Sequence, residues 1–453
     1  MHPYAHIQTI HYLPVLNHFL VTMRNSLLTI AGIMLFTTVA FCQTKHPVLT
    51  VATTPEAAGL SSDRLKRIDT VLKDYINKGR MNGAVAMIVH DGKIAYYKNF
   101  GYNDVDTKAP LQKDAIFRIA SQTKAITSVA IMMLYEEGKF MLDDPISNFI
   151  PEFKHPKVLD KYNKVDTTYT TVPAKREITI RDLLTHTSGI GYAQIGTSEA
   201  NAIYAKAGIV GGIGVDKILL ADKMKLLGSM PLFHQPGEKF TYGLNTDLLG
   251  YLVEVVSGMN LNEFFHKHLF EPLGMKDTYF YLPKEKQHRL AMLYTEDSVT
   301  KKAVKMAEEI NVSGVMHRDY PKMDGTYYSG GGGLSSTVYD YAIFLQMLLN
   351  GGEYNGKRIL SRNSVRMMTM NQIGDINRSP NKFGLGFGIT TEKGSAVLPT
   401  QEGTFEWGGM FATTYWVDPK EKLIGLIYRN IWPTSWGNLG NVYKVLVYQA
   451  LND

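Results

Sequence analysis

Two alternating apolar segments near the beginning of the chain, residues 83–89 and 93–100, are separated by the dipeptide Asp91-Gly92. This dipeptide favours a tight turn in which both residues have positive φ, so the segments are predicted to pair as an antiparallel hairpin. An amphipathic helix is predicted before them, over residues 60–78. A hairpin is not stable alone, so we expect this one to be part of a larger antiparallel sheet.

Helical patterns follow the hairpin, and strand patterns return near the end of the chain. Residues 121–135 are apolar on nearly every side, which is typical of a buried helix. The later segments are predicted as strands over 386–391, 413–417 and 423–428, with a closing helix over 443–451. We predict an α/β fold of the α+β type, in which one antiparallel sheet contains strands from both termini and is flanked by helices. A mostly helical region is inserted at about 135–325, and a glycine run at 330–333 is expected to be flexible.

The first residues are typical of a secretory signal peptide. Arg24 precedes an apolar stretch over 27–41, and the chain becomes polar at Gln43. The stretch is shorter than the roughly 20 apolar residues that span a bilayer, so the mature form is predicted to have no stable membrane span. The protein is therefore predicted to be exported, either to the periplasm or to the medium.

These patterns divide the chain into three parts. We predict a signal peptide over 1–42, a linker over 43–57 and one folded domain over 58–453. Met23 is a natural start, in which case residues 1–22 are an upstream extension. Cys42 is the only cysteine, and a lipoprotein anchor there is the alternative to cleavage.

Composition and motifs exclude several classes of function. The formal net charge is +6, and no run of Lys or Arg forms a stripe, which argues against nucleic acid as a partner. There is no His-Glu-x-x-His, EF-hand or phosphate-loop pattern, and His266 and His268 fall on different helix faces. We therefore predict no metal site and no cofactor.

The Ser-x-x-Lys pattern occurs three times, beginning at Ser121, Ser298 and Ser379. Serine and lysine one helical turn apart share a face, and the amine accepts the serine proton when burial or a nearby cation lowers its pKa. Only Ser121 and Lys124 begin a buried helix, where free N–H groups also favour an oxyanion. The other interpretation of Ser121 is a helix-capping serine. No serine lies in a Gly-x-Ser-x-Gly elbow.

Several segments together resemble the serine β-lactamase-related family, which includes class C β-lactamases, D-Ala-D-Ala carboxypeptidases and esterases of the same fold. The segments that carry the resemblance are 117–124, 142–146, 178–189, 236–242, 332–337 and 407–409, in the order of the family. The resemblance extends from about Ala58 to the C-terminus and implies a β-lactamase/transpeptidase-like fold. It also implies a serine hydrolase that acts through an acyl-enzyme.

The resemblance assigns roles to individual residues. Ser121 is the nucleophile, and Lys124 with Tyr242 forms the base, the Tyr242 phenol carrying the proton to the leaving group. Trp407, Gly408 and Gly409 stand where β-lactamases carry Lys-Thr-Gly, on an edge strand beside the site. The N–H groups of Ser121 and Met410 are the implied oxyanion hole. His186 is interpreted as structural. Without the resemblance, Tyr242 is better interpreted as a core aromatic residue with a hydrogen-bonded hydroxyl.

Two departures from the family pattern bear on the substrate. Leu244 replaces the asparagine of the Tyr-x-Asn motif, and Asn245 comes one position late. Trp407 replaces the lysine that binds the carboxylate of β-lactams, although a cation from elsewhere, such as Lys239, could substitute. Both changes favour a neutral, small-molecule ester.

Other functions remain open at this point. The substrate could instead be an amide or a cell-wall-derived peptide, as in class C β-lactamases, D-Ala-D-Ala carboxypeptidases and D-aminopeptidases. A homologue that binds peptidoglycan or a partner without catalysis is a further alternative, although such a protein has no need for Ser121, Lys124 and Tyr242 together.

Overall fold

The computed structural model describes residues 46–214, 217–311 and 315–452. The predicted signal peptide and Cys42 lie outside these residues. Among the described helices, none is long and apolar enough to cross a membrane.

The described residues form β-strands and α-helices of very different lengths. The strands are β1 Thr50–Val51, β2 Gly83–His90, β3 Lys93–Asp104, β4 Ala109–Pro110, β5 Phe117–Arg118, β6 Lys157–Tyr162, β7 Tyr169–Pro173, β8 Tyr294–Glu296, β9 Ala303–Lys305, β10 Glu309–Asn311, β11 Val315–His317, β12 Ser335–Ser336, β13 Glu353–Tyr354, β14 Lys357–Arg358, β15 Lys382–Phe383, β16 Gly388–Ile389, β17 Phe405–Gly409, β18 Thr413–Asp418 and β19 Leu423–Tyr428. The helices are α1 Ser62–Asn77, α2 Thr123–Glu136, α3 Ile180–Leu184, α4 Ser198–Lys206, α5 Leu220–Gly228, α6 Asn245–Ser257, α7 Leu261–Phe265, α8 Glu271–Leu273, α9 Val338–Leu349, α10 Arg362–Met368, α11 Glu392–Ser395 and α12 Leu439–Tyr448.

The main sheet combines strands from both ends of the chain, as the sequence predicts. Its order is β1-β3-β2-β19-β18-β17-β16-β15, with β4 paired to β3. The early and late strands meet where β2 pairs antiparallel with β19. Every pairing in this sheet is antiparallel except that of β1 with β3.

The first hairpin has the predicted turn. Asp91 has φ 46° and Gly92 has φ 75°, which fits the primed turns that join twisted strands. Strand β2 is buried along nearly its whole length because helices cover both faces of the sheet. Its residues alternate between two apolar clusters. Ala84, Ala86 and Ile88 pack with α1 and α12, and Val85, Met87 and Val89 face the larger cluster that contains α2.

Three segments differ from the predictions. Residues 50–51 of the predicted linker form β1 on the sheet, too short a strand to show a period-two pattern. The predicted helical insertion contains three hairpins besides its helices, made by β6 with β7, β8 with β9 and β10 with β11. The glycine run at 330–333, predicted as a flexible segment, is buried and closely packed, as at Gly331, whose Cβ would lie 2.2 Å from Asp247 Oδ2.

Candidate active site

Ser121 lies directly before the buried helix α2, in a single 3-10 turn over Ala120–Gln122. Ala120 has φ 43°, a left-handed conformation that non-glycine residues seldom adopt. The residue at the N-cap of α2 is Gln122, and no side chain caps this helix. Ser121 therefore does not act as the capping serine of α2, and its hydroxyl is available for another interaction.

That interaction is with Lys124, one helical turn further on. Lys124 Nζ lies 3.3 Å from Ser121 Oγ, and the lysine side chain is buried. The ammonium also donates to Tyr192 Oη at 3.0 Å and to the carbonyl oxygen of Gly331 at 2.5 Å. Its distance from the centre of the Tyr242 ring is 4.8 Å. The Lys124 ammonium thus contacts Ser121, Tyr192, Tyr242 and the backbone of the glycine run at 330–333.

The charge state of Lys124 differs from the one that the sequence suggests. Burial lowers the pKa of Lys124, but Tyr192, Tyr242 and Asp247 raise it, and the net direction is upward. Asp247 is fully buried, and its Oδ1 accepts a hydrogen bond from Ser329 Oγ at 2.6 Å. The amine is therefore an ammonium in the resting protein, rather than a neutral base.

Tyr192 is a site residue that sequence reasoning did not identify. Burial raises its pKa, while the neighbouring Lys124 lowers it, and the net direction is upward. It follows the hallmark segment 178–189 by three positions, which is the signal that could have identified it.

The loop that carries Tyr192 is fixed at its base by a short capped helix. Thr179 and Asp182 form a reciprocal capping box at the start of α3, and Arg176 pairs with Asp182. His186 then adopts φ 56° and turns the chain toward the site. Burial, together with Lys124 and Arg378, holds the pKa of His186 well below its usual range, so its ring is neutral.

Asn245 ties this loop to the segment that carries Tyr242. Its amide Nδ2 donates to His186 Nδ1 at 2.9 Å, and its Oδ1 accepts from Ser188 Oγ. Asn245 is fully buried and does not line the cavity described below. Its one-residue displacement from the family motif thus gives it a role in the scaffold.

Ser121 opens onto a cavity of about 650 Å³. The predicted site residues Ser121, Tyr242, Trp407, Gly408, Gly409 and Met410 all line it, together with Tyr192. The Tyr242 hydroxyl is buried and has no hydrogen-bond partner among the described residues. The rings of Tyr242 and Trp407 lie 5.6 Å apart, so the two aromatic residues form one wall beside the serine.

Strand β17 brings the backbone close to the nucleophile. On one side, β17 pairs with β16 only as far as Glu406, so residues 407–409 are unpaired on that side and form an edge of the sheet. On the other side, these residues pair with β18. A Cβ at Gly409 would lie 2.3 Å from the carbonyl oxygen of Ile119. Only glycine permits this approach, which puts the end of β17 next to the turn that carries Ser121.

The cavity contains an arginine that the sequence did not indicate. Arg378 lines the cavity, with its Cζ 5.4 Å from the centre of the Trp407 ring. Lys239, the cation suggested by its position in the sequence, is exposed and is not among the lining residues. The site therefore has a positive charge beside Trp407, although Trp407 itself carries none.

The remaining candidates lie apart from this site. Ser298 and Ser379 are both exposed. His266 and His268 pack against aromatic rings, and no cluster of three or more His, Cys, Asp or Glu residues suited to a metal occurs in the described part of the chain.

Comparison with known proteins agrees with this fold. The family model described as Beta-lactamase matches residues 68–448. An uncharacterized protein of Mycobacterium tuberculosis is 35% identical over 371 residues, which is 79% of this chain and 87% of that protein. Esterase EstB of Burkholderia gladioli is 29% identical over 387 residues, 83% of this chain and 91% of the esterase.

A solved structure extends the comparison. The structure of EstCE1, a hydrolase with promiscuous acyltransferase activity, superposes with a TM-score of 0.73 at 25% identity. The match covers 86% of this chain and 99% of EstCE1. The chain belongs to the Beta-lactamase family and is a serine hydrolase.

Proposed function

We propose that this protein hydrolyses small esters through an acyl-enzyme formed on Ser121. The observation that carries the proposal is the 3.3 Å contact between Ser121 Oγ and buried Lys124 Nζ at the wall of a large cavity. The similarity to Esterase EstB supports an ester as the substrate.

We assign the proton transfers to a tyrosine that lies beside Lys124. A neutral amine with a neutral phenol has the same number of protons as an ammonium with a phenolate. An ammonium 4.8 Å from the centre of the Tyr242 ring stabilises the second form, in which the phenolate is the base. Tyr242 is the better candidate because its buried hydroxyl has no partner among the described residues, whereas Tyr192 Oη already accepts from Lys124.

The reaction then proceeds in two balanced halves. Ser121 Oγ loses its proton to the Tyr242 oxygen and forms a bond to the ester carbonyl carbon. The N–H groups of Ser121 and Met410 stabilise the oxyanion, and the bond to the alcohol breaks as the alcohol takes the proton from Tyr242. In the second half, water gives a proton to the same oxygen and attacks the acyl carbon. The bond from that carbon to Ser121 Oγ then breaks as Oγ takes the proton from Tyr242, which releases the acid and restores both residues.

The chain offers matched controls for a test of the nucleophile. Ser121→Ala is expected to abolish hydrolysis of short-chain 4-nitrophenyl esters and labelling by a fluorophosphonate. Ser298→Ala and Ser379→Ala remove the serines of the other two Ser-x-x-Lys patterns, both exposed, and are expected to retain activity. If Ser121→Ala is folded and keeps full activity, the assignment is wrong.

The alternatives have distinct outcomes in the same assays. Efficient turnover of a chromogenic cephalosporin or of a D-Ala-D-Ala peptide, with little ester hydrolysis, would favour a β-lactamase or a peptidase. A complete lack of turnover and labelling would favour a binding protein. We also propose export with cleavage near Cys42–Gln43, which N-terminal sequencing of the protein from the periplasm or medium would test.

A further inference from the structure

We propose that Arg378 binds an anionic group of the substrate, so that the preferred esters carry a carboxylate near the scissile bond. This inference rests on the proposed ester hydrolysis and specifies its substrate class. It replaces the neutral ester that the sequence favours, because the sequence did not reveal a cation in the cavity.

Aromatic rings hold the Arg378 guanidinium at the cavity wall. Its Cζ lies 5.4 Å from the ring centre of Trp407, 5.1 Å from that of Phe240 and 5.4 Å from that of Phe383. Trp407 also packs against Tyr242, so the arginine belongs to the aromatic wall of the cavity that Ser121 also lines. Trp407 cannot pair with an anion, but it orients a residue that can.

The guanidinium has unused hydrogen-bonding capacity. Its only hydrogen bond to a described residue runs from Nη1 to the carbonyl oxygen of Lys382, at 3.0 Å. No described carboxylate lies within ion-pair distance of Arg378. Lys444, which lines the same cavity, is instead paired with Glu406. Arg378 is thus a cavity-lining cation whose planar donors remain open to a ligand.

The surroundings make an anion favourable at this position. Burial lowers the pKa of Arg378, and the nearby charge of Glu406 only partly opposes this effect. A charge that is partly removed from water without an ion pair is costly, and a ligand carboxylate would offset that cost. The remaining cavity wall includes the apolar side chains of Ile195, Ile213, Met410 and Trp432, which suit a hydrocarbon portion of the same substrate.

The test uses two pairs of esters that differ in one charge. The first pair is 4-nitrophenyl pentanoate and the 4-nitrophenyl monoester of glutaric acid, which has a carboxylate on the acyl side. The second pair is the butyrate ester of 4-hydroxybenzamide and that of 4-hydroxybenzoate, which has its carboxylate on the alcohol side. The two pairs identify which side of the ester faces Arg378.

In at least one pair, Arg378→Gln is expected to lower kcat/KM for the anionic ester about ten- to a hundredfold more than for the neutral one. Arg378→Lys should give an intermediate loss, because lysine keeps the charge but not the planar donors. Lys239→Gln is the matched control and should keep the preference of the unaltered protein. Added salt should weaken that preference.

Equal losses on both members of both pairs would overturn the proposal and would mean that Arg378 only supports the packing of Trp407. If Arg378→Gln does not fold, the proposal is tested by inhibition of the unaltered protein. Pentanoate is expected to inhibit hydrolysis of a neutral ester more strongly than pentanamide does. Equal inhibition by the two compounds would overturn the proposal. A failure of the proposed function is distinguishable, because a folded Ser121→Ala would then still hydrolyse the neutral esters.

Discussion

Lys124 Nζ donates a hydrogen bond to Tyr192 Oη at 3.0 Å, slightly shorter than its 3.3 Å contact with Ser121 Oγ. Two tyrosines are therefore candidates for the base of the proposed reaction. Tyr192 is bound to the ammonium, and Tyr242 lies under it with its hydroxyl unpaired among the described residues. The two phenols thus differ in their hydrogen bonding, and substitution of each tyrosine can show which one takes part in the reaction.

Removal of each hydroxyl should separate the two roles. Tyr242→Phe is expected to lower kcat for a short-chain ester at least about a hundredfold, the usual effect of removing a general base. Tyr192→Phe removes a hydrogen bond to Lys124 and should cost about tenfold. The measurement is single-turnover acylation, with circular dichroism as the control for folding. The reverse order of effects would make Tyr192 the base.

The pH profile should depend on Asp247. Its carboxylate raises the pKa of both Lys124 and Tyr192, so Asp247→Asn lowers both. The bell-shaped dependence of kcat/KM on pH is therefore expected to move to lower pH. Asp324→Asn, an exposed position, is the control and should leave the profile in place. A loss of activity without displacement of the profile would contradict this role for Asp247.

Close packing at the end of β17 predicts a strong effect of a single methyl group. In Gly409→Ala the new Cβ would lie 2.3 Å from both Ile119 O and Thr413 Oγ1, so the strand must move away from the Ser121 turn. We expect kcat/KM to fall at least about tenfold, because the implied oxyanion donors at Ser121 and Met410 separate. Gly437→Ala has no atom within 4 Å of its Cβ and should retain activity. Unchanged activity of Gly409→Ala would show that the strand tolerates the displacement.

Asp340 should make stability depend on pH. Burial raises its pKa from 3.8 to about 6, so the folded state binds more protons than the unfolded state between these values. The free energy of unfolding therefore falls as the pH rises through this window, by at most about 3 kcal/mol. Asp340→Asn removes this contribution, so its loss of stability between pH 4 and pH 7 should be smaller, as measured by urea denaturation at each pH. Identical pH dependence of the two proteins would contradict the raised pKa.

Sequence alone determined the features that depend on neighbours in the chain. The turn at Asp91 and Gly92 follows from the backbone preferences of those two residues. The contact of Ser121 with Lys124 follows from their spacing, since the turn before α2 continues into the helix and keeps them on one face. The antiparallel sheet from both termini was predictable because each strand carries its own apolar pattern.

Only the tertiary structure decided how distant segments meet. Tyr192 is 68 positions from the lysine to which it binds, and Asn245 is 59 positions from His186. Arg378 contacts Trp407 because the loop before β15 packs against β17, and no local pattern encodes that contact. The charge of Lys124 also depends on such neighbours, since burial alone would lower its pKa, whereas Tyr192, Tyr242 and Asp247 reverse that direction. Helix and turn geometry act over a few residues, but the electrostatics of a buried site depend on every segment that the fold brings to it.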